Sequence, residues 1–156
     1  MFLAATAFSV YASDTSPVNG RVLQAFKKEF SNASNVTWSV LQNEGLYEAS
    51  FNLNDIRLYA FYTFEGEFVG LSHYIEQSNL PFFVSNALAN KFPGYTVTSV
   101  LEHSDGGNTT YYLSLEGEKA SLLIRSTPSG QITIAKKIKK RHALKTPDVE
   151  TKPNHV

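Results

Sequence analysis

The sequence contains no cysteine in its 156 residues. This absence excludes disulfide bonds, thiolate nucleophiles and metal sites with cysteine ligands. The chain also lacks a Gly-X-Ser-X-Gly nucleophile elbow and a glycine-rich loop of the kind that holds phosphates. These common signatures of hydrolases and nucleotide-binding enzymes are therefore missing.

An excess of one charge is also absent, since 14 Lys and Arg residues balance 14 Asp and Glu residues. The charges are unevenly placed. Residues 1–135 carry 7 basic and 12 acidic side chains, whereas residues 136–156 carry 7 basic and 2 acidic side chains. The basic run Lys136–Arg141 has two interpretations: contact with nucleic acid or anionic lipid, or a last strand that continues into a solvated tail. The acidic body favours the second. We therefore predict no nucleic-acid partner and a basic tail without regular structure over residues 139–156.

An apolar run of the length that spans a bilayer, about 20 residues, is missing too. Residues 1–12 are largely apolar, and Val10 and Ala12 supply the small or β-branched residues of a signal-peptidase site before the polar Ser13. A short buried strand or helix is the alternative. We interpret residues 1–12 as a signal-peptide-like segment, which predicts a periplasmic or secreted protein with no membrane span.

The chain contains two similar parts. Val22–Phe30 is similar to Val84–Phe92 at an offset of 62 residues. Further matches follow at an offset of 64 residues, with Tyr47, Ser50, Phe51, Gly66 and Phe68 against Tyr111, Ser114, Leu115, Gly130 and Ile132. Because this unit is longer than a solenoid repeat, we interpret the chain as a tandem duplication over residues 18–76 and 78–138.

Each unit has a helical pattern followed by four strand patterns. Apolar residues recur at i, i+4 and i+8 in the two helices, at Val22, Phe26 and Phe30 and at Val84, Leu88 and Phe92. Turns rich in Gly, Asn and Asp separate strands at residues 35–42, 46–53, 56–63, 67–75, 95–103, 109–116, 119–126 and 131–138. The pattern predicts an α+β fold, in which two four-stranded antiparallel meanders form one eight-stranded sheet with both helices on one face.

Strand alternation predicts that the other face of the sheet is open. In the third strand, Leu58 and Ala60 alternate with Arg57, Tyr59 and Phe61. Aromatic and Arg side chains are favoured at binding hot spots, so we predict a partner-binding surface on this face. The alternative is that the tail, a segment near the signal sequence or a second copy covers it. The predicted binding residues are Arg57, Tyr59, Phe61, Tyr112, Leu123 and Arg125.

Chemistry-bearing side chains do not form a recognisable motif. The histidines lack the spacing of metal ligands, and two glutamate pairs lie at exposed turns, where solvation keeps their environments alike. We therefore predict no catalytic residue, no metal and no cofactor. These side chains are His73, His103, His142 and His155, and the pairs Glu65/Glu67 and Glu116/Glu118.

Several short motifs occur in a characteristic order: Phe30–Trp38, Tyr47–Phe51, Glu65–Glu67, Leu80–Pro81 and Lys91–Tyr95. Over about residues 18–138 the chain thereby resembles the PepSY-like, β-lactamase-inhibitor-like secreted bacterial proteins. The resemblance implies an export signal, one helix and a four-stranded sheet per unit, and no enzymatic activity. Inhibitors of that fold hold an enzyme on the concave face of the sheet. Here the resemblance extends to architecture and not to β-lactamase inhibition, because no inhibitory residues match and the inhibitors' disulfides are missing.

Two functions are consistent with these features. The first is an exported, non-enzymatic binding or inhibitor-like module that holds an envelope or secreted protein or peptide on the open face of its sheet. The second is a carrier of a small apolar ligand in the aromatic-rich space between helices and sheet. A stoichiometric protein partner would favour the module, and a co-purifying small molecule would favour the carrier.

The first testable prediction concerns processing. Because small or β-branched residues end the apolar segment, we expect signal peptidase to cleave near Ala12 and Ser13. N-terminal sequencing of the protein from its native host should then begin at or near Ser13. An intact Met1 on that protein would contradict export by this route.

Overall fold

The computed structural model of this chain describes residues 18–140. Helix α1 (Gly20–Glu29) precedes strands β1 (Ser34–Leu41), β2 (Leu46–Leu53), β3 (Ile56–Thr63) and β4 (Phe68–Tyr74). A 3-10 turn at Gln77–Asn79 leads into helix α2 (Phe82–Lys91), which precedes β5 (Thr96–Asp105), β6 (Asn108–Glu116), β7 (Ala120–Ser126) and β8 (Ile132–Lys139). The predicted signal-like segment and residues 141–156 of the predicted tail lie outside the described residues.

The eight strands form one sheet in chain order, β1 to β8, and every neighbouring pair is antiparallel. This confirms the predicted α+β architecture. The strand bounds differ from the predicted ones by at most two residues. At the end of β8, Lys139 pairs with Ala120 and belongs to the strand, although it was predicted to begin the tail. Neither helix of residues 18–140 has the length and apolar character needed to cross a bilayer.

Both helices begin against a turn of the sheet. The Asn19 side chain accepts a hydrogen bond from the Val22 amide at 3.1 Å and donates one to the Phe64 carbonyl at 2.6 Å, which fastens the start of α1 to the β3–β4 turn. Gly66 in that turn has φ +95°, and a Cβ there would lie 3.2 Å from the α1 backbone. Gly130 in the β7–β8 turn has φ +82°, and a Cβ there would lie 2.5 Å from a carbonyl oxygen of α2. Glycine is therefore needed at both turns, for its conformation and for the close approach of a helix.

Under α1 the core is aromatic. Phe26 contacts Phe51 edge to face at a ring distance of 5.0 Å and Trp38 at 5.2 Å. Tyr62 is fully buried, and its hydroxyl donates to the Glu29 carboxylate at 3.1 Å. Burial, reinforced by this hydrogen bond, raises the pKa of Tyr62 above its usual range. The bond therefore ties the end of α1 to β3.

Under α2 the core is mainly aliphatic. Leu113 and Ile124 are fully buried, whereas Ala49 and Ala60 occupy buried positions in the aromatic core. The aromatic core thus combines large rings with small alanines, and the aliphatic core uses side chains of intermediate size. Both combinations bury apolar side chains between helix and sheet.

Core residues that the proposed repeat relates are buried in both halves, although Phe68, the counterpart of Ile132, is 42% exposed. Phe26 and Leu88 are each 7% exposed, and Phe51 and Leu115 are 0% and 1% exposed. Descent of the two halves from one unit, with bounds at residues 18–76 and 78–138, stays a prediction.

The buried rings give a testable prediction about stability. Phe51→Ala should lower the free energy of unfolding by about 3–5 kcal/mol, because it leaves a cavity beside Phe26 and Phe30. Phe82→Ala is the matched control, since Phe82 is 76% exposed, and it should change stability by less than about 1 kcal/mol. Urea denaturation of the full chain measures both values. Equal losses for the two variants would mean that the core is wrongly assigned.

Candidate functional site

The face of the sheet opposite the helices is assembled from both halves of the chain. Tyr74 on β4 lies directly opposite Leu101 on β5, Leu101 lies opposite Tyr112 on β6, and Tyr112 lies opposite Arg125 on β7. Directly opposed residues of antiparallel strands point to the same side of a sheet. We call this side the open face, because no helix among residues 18–140 covers it.

The six predicted binding residues all lie on the open face, but they do not form one cluster. Tyr59 and Phe61 are half-buried near the middle, and Tyr112 pairs with Arg125 across β6 and β7. Leu123 is 38% exposed and lies opposite Lys136. Their role in binding stays a prediction.

Arg57 lies apart from the other predicted residues. Its guanidinium donates hydrogen bonds to the Asn35 carbonyl and to the Asn52 side chain, both at 3.3 Å. These bonds hold the charge toward the β1–β2 edge of the open face. Arg57 therefore borders the aromatic residues instead of contacting them.

Tyr59 and Phe61 line a small depression that we call the aromatic recess, with a volume of about 160 Å³. The rings of Tyr59 and Tyr74 lie 6.2 Å apart at an angle of 84°, so they form two adjoining walls. The recess thus combines residues from four strands. Its lining residues are Glu48, Tyr59, Phe61, Ser72, Tyr74 and Leu101.

A chain of polar contacts runs beside the recess. Ser72 Oγ lies 2.7 Å from His103 Nδ1, and His103 Nε2 lies 3.7 Å from a carboxylate oxygen of Asp105. The residue types are those of a hydrolase triad, but Ser72 is only 2% exposed. This burial leaves its oxygen little access to a substrate carbonyl, and the Phe61 ring lies edge to face on His103 at 5.8 Å. The contacts therefore orient the imidazole and do not form a nucleophilic site.

Gly70 allows this arrangement of His103. A Cβ at position 70 would lie 2.8 Å from His103 Cε1 and 2.8 Å from the Ser104 carbonyl oxygen. Phe61, on the neighbouring strand β3, lies directly opposite Gly70 of β4. The missing side chain therefore leaves space that the two rings occupy, as is common where an aromatic residue packs over a glycine in a neighbouring strand.

The open face carries charge at opposite borders of its aromatic middle. Glu48 is half-buried and accepts a hydrogen bond from Ser39 Oγ at 3.2 Å. On the opposite border, Glu116 pairs with Lys140 at 2.8 Å. The hydrogen bond from Lys140, and a second from Ser121, lower the pKa of Glu116. Glu116 is thus already paired with a cation, whereas Glu48 has no ion-pair partner within residues 18–140.

A second depression, of about 260 Å³, lies between the end of α2 and the sheet. It is partly open and smaller than the roughly 300–1,000 Å³ of typical small-molecule pockets. Apolar side chains that line it include Leu88, Phe92, Tyr95, Val97 and Leu115. Within residues 18–140 the structure shows no group of three or more His, Asp or Glu side chains that could hold a metal ion.

Sequence reasoning missed several residues of the recess. Tyr74 and Ser72 occupy alternate positions of β4, on the same side as Tyr59. Extending the period-2 alternation into the fourth strand could have found both. Sequence spacing gives no sign of the contact between Ser72 and His103, because they lie 31 residues apart.

No family model matches the sequence, and no curated protein matches it significantly. Solved structures of similar architecture do match. A BLIP-like protein from Bacteroides fragilis superposes with a TM-score of 0.68 at 16% identity, covering 87% of this chain and 97% of that chain. The chain has a BLIP-like fold.

Two further structures share the BLIP-like fold. A DUF2874 family protein from Bacteroides ovatus has a TM-score of 0.66 at 23% identity, covering 81% of this chain and 89% of that chain. A candidate periplasmic protein from Bacteroides eggerthii has a TM-score of 0.68 at 21% identity, covering 80% of this chain and 90% of that chain. These likenesses confirm the architecture that the resemblance implied.

The packing over Gly70 can be tested by adding one methyl group. Gly70→Ala should lower the free energy of unfolding by about 1–3 kcal/mol, because the new Cβ would overlap His103 and a backbone oxygen. It should also shift the NMR signals of the His103 ring. Gly20→Ala is the control, since its Cβ would meet nothing within 4 Å. Unchanged His103 signals in Gly70→Ala would contradict the close approach.

Proposed function

We propose that this protein is an exported, non-enzymatic module that binds a protein or peptide on the open face of its sheet. One observation carries the proposal. The open face presents aromatic side chains from both halves, including Tyr59, Phe61, Tyr74 and Tyr112, on the side that no helix among residues 18–140 covers. Exposed aromatic surface is a common mark of interaction sites, and aromatic residues dominate interface hot spots.

Other features support the same function. The signal-like segment at residues 1–12 supports export, and so does the fold shared with a candidate periplasmic protein. The buried position of Ser72 supports a role without catalysis. The fold shared with a BLIP-like protein supports a protein partner, and Arg125 and Lys136 add a basic border suited to acidic groups on that partner.

The alternative, a carrier of a small apolar ligand, has one observation in its favour. The depression beside α2 is lined by apolar side chains such as Leu88 and Phe92. It is partly open, however, and Val84 of the same helix is already fully buried against the sheet. The close packing of this helix and the partly open shape of the depression favour the open face as the candidate.

The proposal predicts that three serine substitutions on the open face abolish partner binding. Full-length wild-type protein and the variant Tyr59→Ser/Phe61→Ser/Tyr112→Ser are used to capture partners from an envelope extract. Wild type should retain one stoichiometric protein, and the variant should lose it, because large contact rings are removed. Binding of the purified partner by calorimetry should show a loss of at least roughly 2 kcal/mol, the size typical of hot-spot substitutions.

The matched control removes exposed aromatics from the helix side. Phe82 and Phe83 are 76% and 62% exposed, so Phe82→Ser/Phe83→Ser should leave capture unchanged. If the triple variant unfolds, Tyr59→Ser/Tyr112→Ser tests the face while leaving the Phe61–His103 contact in place. A co-purifying small apolar molecule with no protein partner would favour the carrier.

A further inference from the structure

Glu48 is a half-buried carboxylate that has no cationic partner in the described part of the chain. Its one hydrogen bond within residues 18–140 comes from Ser39 Oγ at 3.2 Å, and no Lys, Arg or His of these residues forms an ion pair with it. It lies directly opposite Phe61 in the β2–β3 ladder. A half-buried carboxylate therefore lines the recess together with aromatic rings, an arrangement suited to a cation.

The walls of the aromatic recess attract positive charge as well. Tyr59 and Tyr74 meet at 84°, and Phe61 adds a third ring. Aromatic rings carry negative potential on their faces, and a cation within about 6 Å of a ring centre is attracted to them. The carboxylate and the rings thus favour the same kind of occupant.

The size of the recess limits that occupant to a single small cationic group, such as the end of one side chain. About 160 Å³ is well below the roughly 300 Å³ at which small-molecule pockets begin. Arg57, the nearest cation along β3, is not the occupant, because its guanidinium is bonded to Asn35 and Asn52. Within residues 18–140 no Lys or Arg forms an ion pair with Glu48, which leaves the recess open to a cation from another molecule.

We propose that the aromatic recess binds an arginine side chain of the partner protein or peptide. A planar guanidinium stacks on aromatic rings and donates two parallel hydrogen bonds to a carboxylate, whereas an ammonium group is a compact, strongly hydrated charge. Glu48 accepts those hydrogen bonds, and Tyr59 and Tyr74 contact the guanidinium plane. This inference rests on the proposed function, since it names what the open face recognises.

The test uses short peptides that differ in one group. The full-length protein, labelled with nitrogen-15, is titrated with acetyl-Gly-Arg-Gly-amide and with the citrulline peptide, which keeps the shape of arginine without its charge. The arginine peptide should shift the amide signals of Glu48, Tyr59 and Tyr74 and bind roughly tenfold or more tightly than the citrulline peptide. The lysine peptide should bind more weakly than the arginine peptide.

Variants of the protein test which residues of the recess bind the arginine peptide. Glu48→Gln should lower the affinity for the arginine peptide roughly tenfold and leave the weak affinity for the citrulline peptide unchanged. Glu44→Gln, in the exposed β1–β2 turn, makes the same change of net charge and should leave both affinities unchanged. Tyr74→Leu should weaken the arginine peptide by removing one wall.

Three outcomes would overturn the inference: equal binding of the arginine and citrulline peptides, a lysine peptide that binds at least as tightly, or no shifts at the recess. Capture of the partner separates this failure from that of the proposed function. If Glu48→Gln retains the captured protein and the triple serine variant loses it, the open face is the binding surface and the arginine assignment is wrong. If the arginine peptide binds while no protein is captured, the arginine recess stands and the proposed module does not.

Discussion

The ladder between β4 and β5 is the constraint on which the rest of the structure depends. It is the only strand pairing between the two halves of the described chain, and its register extends from Leu71 opposite Ser104 to Tyr74 opposite Leu101. A shift of one residue would turn the aromatic side of one half toward the helices of the other. With the observed register, both helices share one face and both sets of open-face residues share the other. The ladder also brings Leu101 of the second half to the recess, whose other lining residues belong to the first half.

Stability and recognition are separated on alternate residues of the same strands. Leu58 and Ala60 of β3 are buried beneath α1. Tyr59 and Phe61, which alternate with them along the strand, lie on the open face. Because the cores are packed on the helix side, the exposed residues of the open face, such as Tyr74 and Leu123, can change with limited effect on folding. His103 is an intermediate case, since its contacts with Ser72 and Phe61 are structural while its position borders the recess.

Much of the fold could be predicted because its determinants are local. The spacing of Val22, Phe26 and Phe30 defines the buried side of α1, and glycines such as Gly66 define where strands turn. These patterns placed each strand within two residues of its observed bounds. The end of β8 was less predictable, because a basic run such as Lys136–Lys139 has the composition of a solvated tail and is held in the sheet by backbone pairing with β7.

The sequence by itself determined which side chains share a face, since alternation with a period of two residues is a property of any single strand. It therefore placed Tyr59 and Phe61 together with Tyr112 and Arg125 on the open face. Only the tertiary structure decided which of these residues are neighbours. Tyr59 meets Tyr74, and Phe61 meets His103, because the register between strands is set by the turns and, between β4 and β5, by a connection that includes α2. No local pattern encodes contacts that depend on segments so far apart in the chain.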